Sequence, residues 1–248
     1  METYEIFLSR ALPDPRVLGL VLSGSQARAG TATARSDHDL YLIAADGAPF
    51  EPRRDALVDL VVMTLDEFRA HAMPGSGTEW NRYAFTHAQV LKDTGGIASL
   101  VAAKGTLIPD EAFAIGREAL GAFLNSVYRC MKNARDGNLL GVRLDGAEAV
   151  PACLSHLFAL HGRVRPYNKY LEWELRHHPL TGWPAADLLP RLESALSDDA
   201  PTALRELLNA LEPHARAAGH GPELDSWGDD LPFMRGTSQP SLGGNHLW

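Results

Sequence analysis

The stretch VLSGSQARAGTATARSDHDLYLI, residues 21–43, decides how this chain is read. Its opening belongs to a continuous apolar run, residues 17–22, that breaks at Gly24 and has the length of a buried strand. Its end runs on to Ala44, ahead of the turn signal Asp46-Gly47, so residues 39–44 read as a second strand. Between the two lie Gly24-Ser25 and then Asp37-His38-Asp39. Alternate residues of a strand project to one face, which sets Asp37 and Asp39 side by side. Two carboxylates that close repel and tend to protonate unless a cation sits between them. A hard divalent ion such as Mg²⁺, shared with substrate phosphates, meets that need. Gly24 permits a tight turn, and Ser25 reads as the start of a short helix whose free N–H groups suit a triphosphate.

Downstream, residues 57–65 (LVDLVVMTL) read as a third strand in which Leu57, Asp59, Val61 and Met63 share one face. A carboxylate in an apolar strand is costly unless paired or metal-bound. If this strand lies beside residues 39–44, three carboxylates converge, the arrangement used in two-metal phosphoryl transfer. The plain structural alternative is that Asp37 caps a turn and Asp59 pairs with a neighbouring Arg. Residues 84–91 read as a fourth strand before the turn signal at 93–96, and residues 2–12 as a short amphipathic segment.

From Pro109 the period changes. Residues 109–133, 146–163, 167–178, 185–196 and 201–218 read as helices with short connections, which predicts an antiparallel bundle. The expected fold class is therefore α+β. A domain with a small mixed sheet spans residues 1–107, a helical bundle spans 108–220, and an irregular tail spans 221–248. Within the tail, Trp227 and Phe233 are expected to pin the chain to the body.

Composition narrows the function class. The chain has 248 residues, 45% hydrophobic and 22% charged, which excludes wholesale disorder. No apolar run reaches the ~18 residues of a membrane span, and the first residues lack the basic start of a signal peptide, so the reading is cytoplasmic. Thirty-one acids against 23 Lys plus Arg give a net charge of −8, which argues against a long nucleic-acid groove and suits a cationic small molecule. Cys130 and Cys153 make neither a disulfide scaffold nor a zinc site.

Gly24-Ser25, Asp37-x-Asp39 and the later strand acid Asp59 resemble the nucleotidyltransferase superfamily that includes DNA polymerase β. With its helical second half, the chain is most similar in layout to the antibiotic nucleotidyltransferases. The resemblance implies Mg²⁺-dependent transfer of a nucleoside monophosphate, usually AMP from ATP, to a hydroxyl with release of pyrophosphate. It implies that Asp37 and Asp39 bind metal, that Gly24 and Ser25 hold the triphosphate, that residues 1–107 are the catalytic domain and that the bundle at 108–220 binds the acceptor. Arg28 and Ser36 are further candidates for the nucleotide, as is Lys169 in PYNKYLEWEL, reaching from the helical half; Arg35 also flanks the phosphate loop. Asp59 has two readings that are compatible, third metal ligand in the catalytic set with Asp37 and Asp39 or general base for the acceptor hydroxyl; Glu79 and Glu148 are the other base candidates. None of the histidines reads as a metal ligand, and His38 is expected to face away from the metal. The expected partners are a nucleoside triphosphate and a small hydroxyl-bearing acceptor, an amino-sugar being one class the acidic balance suits. Dimers recur among similar enzymes, so a homodimer is one assembly to test. The competing expectations are AMP transfer to a protein or RNA, as in antitoxin-like relatives, and nucleotide binding without catalysis.

Overall fold

A computed structural model describes residues 2–237. It is α+β, with a five-stranded mixed sheet and eleven α-helices. The chain divides into two compact units between Leu107 and Ile108.

All the described strands lie in the first unit. They are β1 (Val17–Ser23), β2 (His38–Ala44), β3 (Arg53–Arg54), β4 (Val58–Met63) and β5 (Gln89–Asp93), ordered β3-β4-β2-β1-β5 across the sheet. β1 runs antiparallel to β2 and β5, while β2 and β4 run parallel with Asp39 beside Asp59. Strand alternation gives the sheet two apolar faces. Leu20, Leu22, Leu40, Leu42, Val58 and Leu60 pack against Phe7 and Ala11 of α1 (Tyr4–Ala11). Val21, Tyr41 and Ile43 pack on the opposite side against Phe68 of α2 (Leu65–Ala70), Phe85 of α3 (Tyr83–Thr86) and Ile97 of α4 (Ile97–Lys104). Gly19 allows the close approach of α4, since a Cβ there would lie 2.4 Å from Ile97 Cγ1.

The expected strand at 84–91 is corrected. Ala84 and Phe85 lie in the helical turn α3, where both are buried under the sheet, and the strand begins only at Gln89. Burial against the sheet prevailed over the local alternation of AFTHAQVL. At the far end of β5, Asp93 accepts from the N–H groups of Ile97 (2.8 Å) and Ala98 (2.9 Å), which closes the turn into α4.

The second unit is helical throughout. Its long elements are α5 (Pro109–Arg135), α6 (Leu139–Leu160) and α9 (Ala200–Ala217); α7 (Leu171–His177) and α8 (Ala185–Ser194) lie between α6 and α9, and α10 (Gly221–Asp225) and α11 (Asp230–Arg235) follow. Leu120, Phe123, Leu154, Phe158, Leu204 and Leu208 belong to its single core. α6 starts seven residues before the expected 146, at an Asn138 cap whose side chain accepts from Gly141 N–H. Gly146 lies inside the helix instead of bounding it, because a Cβ there would lie 2.2 Å from the Ala195 carbonyl oxygen. The tail is also corrected: residues 221–235 carry two helices, and Leu224, Leu231 and Met234 enter the same core. Trp227 and Phe233 do pack on Tyr128, at ring distances of 5.5 and 6.2 Å. The remaining tail positions, 238–248, lie outside the described residues.

Candidate metal centre

Two adjacent strands and the loop before them bring the acids together. Asp39 of β2 and Asp59 of β4 are register partners, and Asp37 precedes β2 by one residue. One carboxylate oxygen from each of Asp37, Asp39 and Asp59 lies within 4.8 Å of the others, and all three residues are half-buried. Opposite ligands of one octahedral Mg²⁺ are about 4.1 Å apart, twice the ion–oxygen distance. The three oxygens, within 4.8 Å of one another, come close to this span, so small side-chain rotations would bring them onto one such ion. The same triad without a cation concentrates like charge. Asp59 also pairs with Arg54 at 3.3 Å, but that guanidinium is almost fully in solvent and can leave at little cost.

Gly24 fits against this cluster. It takes φ +65°, and a Cβ built on it would lie 1.7 Å from Asp39 Oδ2. Any side chain would displace the carboxylate, so glycine here is a condition for the triad. Residues 24–31 form turns, not the helix expected from Ser25. The reason is that Ser25 O accepts from the Thr31 hydroxyl (2.9 Å) and Gly24 O from Arg28 Nη1 (2.6 Å), bonds that hold the loop in turns. A helix N-terminus is therefore not available as an anion site; what lies against Asp39 is the Gly24 turn, with Ser25 buried next to it.

Arg28 is buried. Its second nitrogen donates to Tyr83 O at 3.0 Å and its guanidinium stacks on the Tyr83 ring at 4.7 Å. It thus ties the Gly24 turn to the segment at residues 79–83. Ser36 accepts from Thr33 N–H (2.9 Å), closing the turn ahead of Asp37, while Arg35 is exposed. Lys169, in the second unit, is exposed with its ammonium 5.1 Å from the centre of the Tyr170 ring.

The alternative bases have other partners. Glu79 is held below the ordinary glutamate range by backbone N–H groups, its own first and those of Gly77, Gly75 and Ser76 after it. Glu148 sits within α6 and pairs with Arg129. His38 stacks on Tyr4 at 3.8 Å and turns its Nδ1 to Leu57 O.

Beneath the triad lies a polar chain that the residue pattern did not reveal. Tyr41, two residues after Asp39 on the same face, accepts at its hydroxyl from Asn81 Nδ2 (2.6 Å), which also bonds His71 Nε2 (2.8 Å). Burial, with the Asp39 and Asp59 charges adding to it, raises the Tyr41 hydroxyl above its ordinary range. His71 is lowered by burial and by nearby Lys104, so it accepts as a neutral ring. The Asp39-x-Tyr41 spacing places Tyr41 on the acidic face, but nothing local marks Asn81 as its partner.

Among known proteins, the chain matches no family profile and no curated protein sequence.

Proposed function

We propose that this chain is a Mg²⁺-dependent nucleotidyltransferase that moves AMP from ATP to a hydroxyl of a small, cationic acceptor. One observation carries the reading: Asp37, Asp39 and Asp59 converge within 4.8 Å beside a turn whose Gly24 is required by their packing. Asp37 and Asp39 hold the metal, with Asp59 completing the donor set. Bound there, the metal supplies charge neutralisation for the triphosphate and the leaving pyrophosphate. The acceptor oxygen bonds to the α-phosphorus as the bond to the bridging oxygen breaks, and pyrophosphate departs. The hydroxyl proton passes to Asp59, base as well as third donor, whose pairing with the exposed Arg54 is weak. Arg28 acts by positioning, fixing the Gly24 carbonyl from below instead of contacting phosphate. The net charge of −8 favours an acceptor bearing amines, such as an amino-sugar.

The test is transfer of label from α-labelled ATP to a panel of amino-sugars with the full chain and Mg²⁺. Acceptor labelling with stoichiometric pyrophosphate, lost in Asp37→Asn and Asp39→Asn, is the expected result. Nucleotide binding without transfer to any amino-sugar would refute the acceptor class, and no Mg²⁺-dependent nucleotide binding would refute the activity itself.

A further inference from the structure

Trp80 is 72% exposed, while its chain neighbours Asn81 and Arg82 are buried. The segment that carries it is clamped at several points. Asn81 is bonded to Tyr41 of β2, Tyr83 O is bonded to Arg28, and Arg28 in turn bonds the Gly24 carbonyl. Arg82 donates from Nε to Lys104 O (3.0 Å) and from Nη2 to Thr106 O (2.6 Å). On the other side, the Thr78 hydroxyl accepts from Ala72 N–H at 2.8 Å and shares a hydrogen bond with Ser76 Oγ at 2.9 Å. The fixed backbone therefore presents an indole to solvent one residue from Asn81, whose side chain bonds Tyr41, two residues from Asp39 on the same face of β2. The ties to Tyr41 and Gly24 join the segment to the two features that the proposed site uses for metal and triphosphate.

We propose that Trp80 is the stacking platform for the base of the bound nucleoside triphosphate. This rests on the nucleotidyltransferase reading and adds to it the part of the donor that the carboxylates do not contact. A rigid indole offers a planar apolar face, and a nucleobase offers the matching one. The Asn81 amide is already engaged by Tyr41 and His71, so it is not free to read the base edge. Recognition by stacking alone tolerates every base and favours the larger purine surface. The donor site therefore selects for a triphosphate with a purine preference and only weak discrimination between ATP and GTP.

The experiment measures Mg²⁺-dependent binding of ATP, GTP, CTP, UTP and inorganic triphosphate to the full chain, as wild type, Trp80→Ala and Trp80→Phe. Loss of a base–aromatic stack weakens binding by about 5- to 150-fold. The expected result is that Trp80→Ala weakens all four nucleotides in this range, purines most. Trp80→Phe restores most of the affinity, and inorganic triphosphate binds all three proteins equally. Unchanged nucleotide affinity in Trp80→Ala overturns the proposal while leaving the nucleotidyltransferase reading intact. An equal loss for inorganic triphosphate also overturns it, since that ligand has no base to stack. Should Trp80→Ala weaken only an acceptor, the platform belongs to the acceptor and the assignment is wrong. If wild type binds neither nucleotide nor triphosphate, the underlying reading fails and takes this one with it.

Discussion

Neutralising one member of the triad should stabilise the metal-free protein and abolish its response to metal. Asp37→Asn is the informative substitution, because Asp37 lies just before β2 and its charge faces both other carboxylates. At 4.8 Å, the outer limit of their separation, a like-charged pair repels by about 0.9 kcal/mol at the dielectric of water and about 3.5 kcal/mol at an effective value near 20. These groups are half-exposed, so the low end applies, and removing two such pairs gains about 1–3 kcal/mol. For a chain of this size that raises the midpoint of thermal unfolding by about 2–12 °C in chelator and low salt. In 1 M KCl, where the Debye length is about 3 Å, most of the gain disappears. Mg²⁺ at a hundredfold excess over its Kd reverses the order, since wild type gains about 2.7 kcal/mol and the variant little. The assay is a thermal melt of both proteins across chelator, KCl and Mg²⁺. The reasoning is refuted if the variant melts below wild type in chelator, which would mean that Asp37 holds structure through bonds of its own. Equal gains from Mg²⁺ in both proteins would refute it as well.

Gly24→Ala places a methyl where Asp39 Oδ2 lies and puts a Cβ at φ +65°, a backbone cost of about 1–2 kcal/mol before any clash is counted. The protein should fold with a lower melting temperature and no Mg²⁺ stabilisation; a variant that still responds to Mg²⁺ would show that the carboxylate relocates without losing the site. Burial pushes the thiols of Cys130 and Cys153 up to about 12, with the Asp145 charge adding at Cys130. Neither should react with a thiol reagent at pH 8 in the native protein, and both should react once it is denatured. Burial, with neighbouring His220 in the same direction, pushes His156 down to about 4, and its Nδ1 bonds Gly116 O at 2.6 Å. The unfolded chain takes up that proton near pH 6.5, before the folded one does. Stability should therefore fall by on the order of 3 kcal/mol as pH drops from about 6.5 to about 4. His156→Leu should flatten this arm of the stability–pH curve, and an unchanged slope would place the titration elsewhere.

The elements legible in the residue pattern are those whose burial is periodic along the chain. β1, β2 and β4 are apolar runs with clear ends, and α5 opens on Pro109-Asp110-Glu111, a first turn recognisable from its residues alone. Asp39 and Asp59 were legible for the same reason, since strand alternation fixes which side a carboxylate takes and parallel pairing sets the two side by side; Asp37, just before β2, joins them from the loop. Where tertiary contact outweighs local preference, the pattern misled. AFTHAQVL alternates like a strand, yet Phe85 is buried as part of a helical turn under Tyr41 and Phe68. Gly146 looks like a helix boundary, yet it is the point at which α6 meets the Ala195 backbone. The residues after Ser25 look like a helix start, yet Arg28 and Thr31 bond the Gly24 and Ser25 carbonyls and keep the segment in turns.

Sequence alone thus determined which acids gather on one side of the sheet, because strand alternation fixes the side each strand residue takes. Only the tertiary structure decided how the site is supported. Arg28 is remote from Tyr83 in the chain, and Tyr41 from Asn81, so no local pattern encodes that Arg28 is a buried tie or that Asn81 bonds Tyr41. Those pairings arise when the sheet and its covering helices close, and buried polar groups are then left only one another as partners.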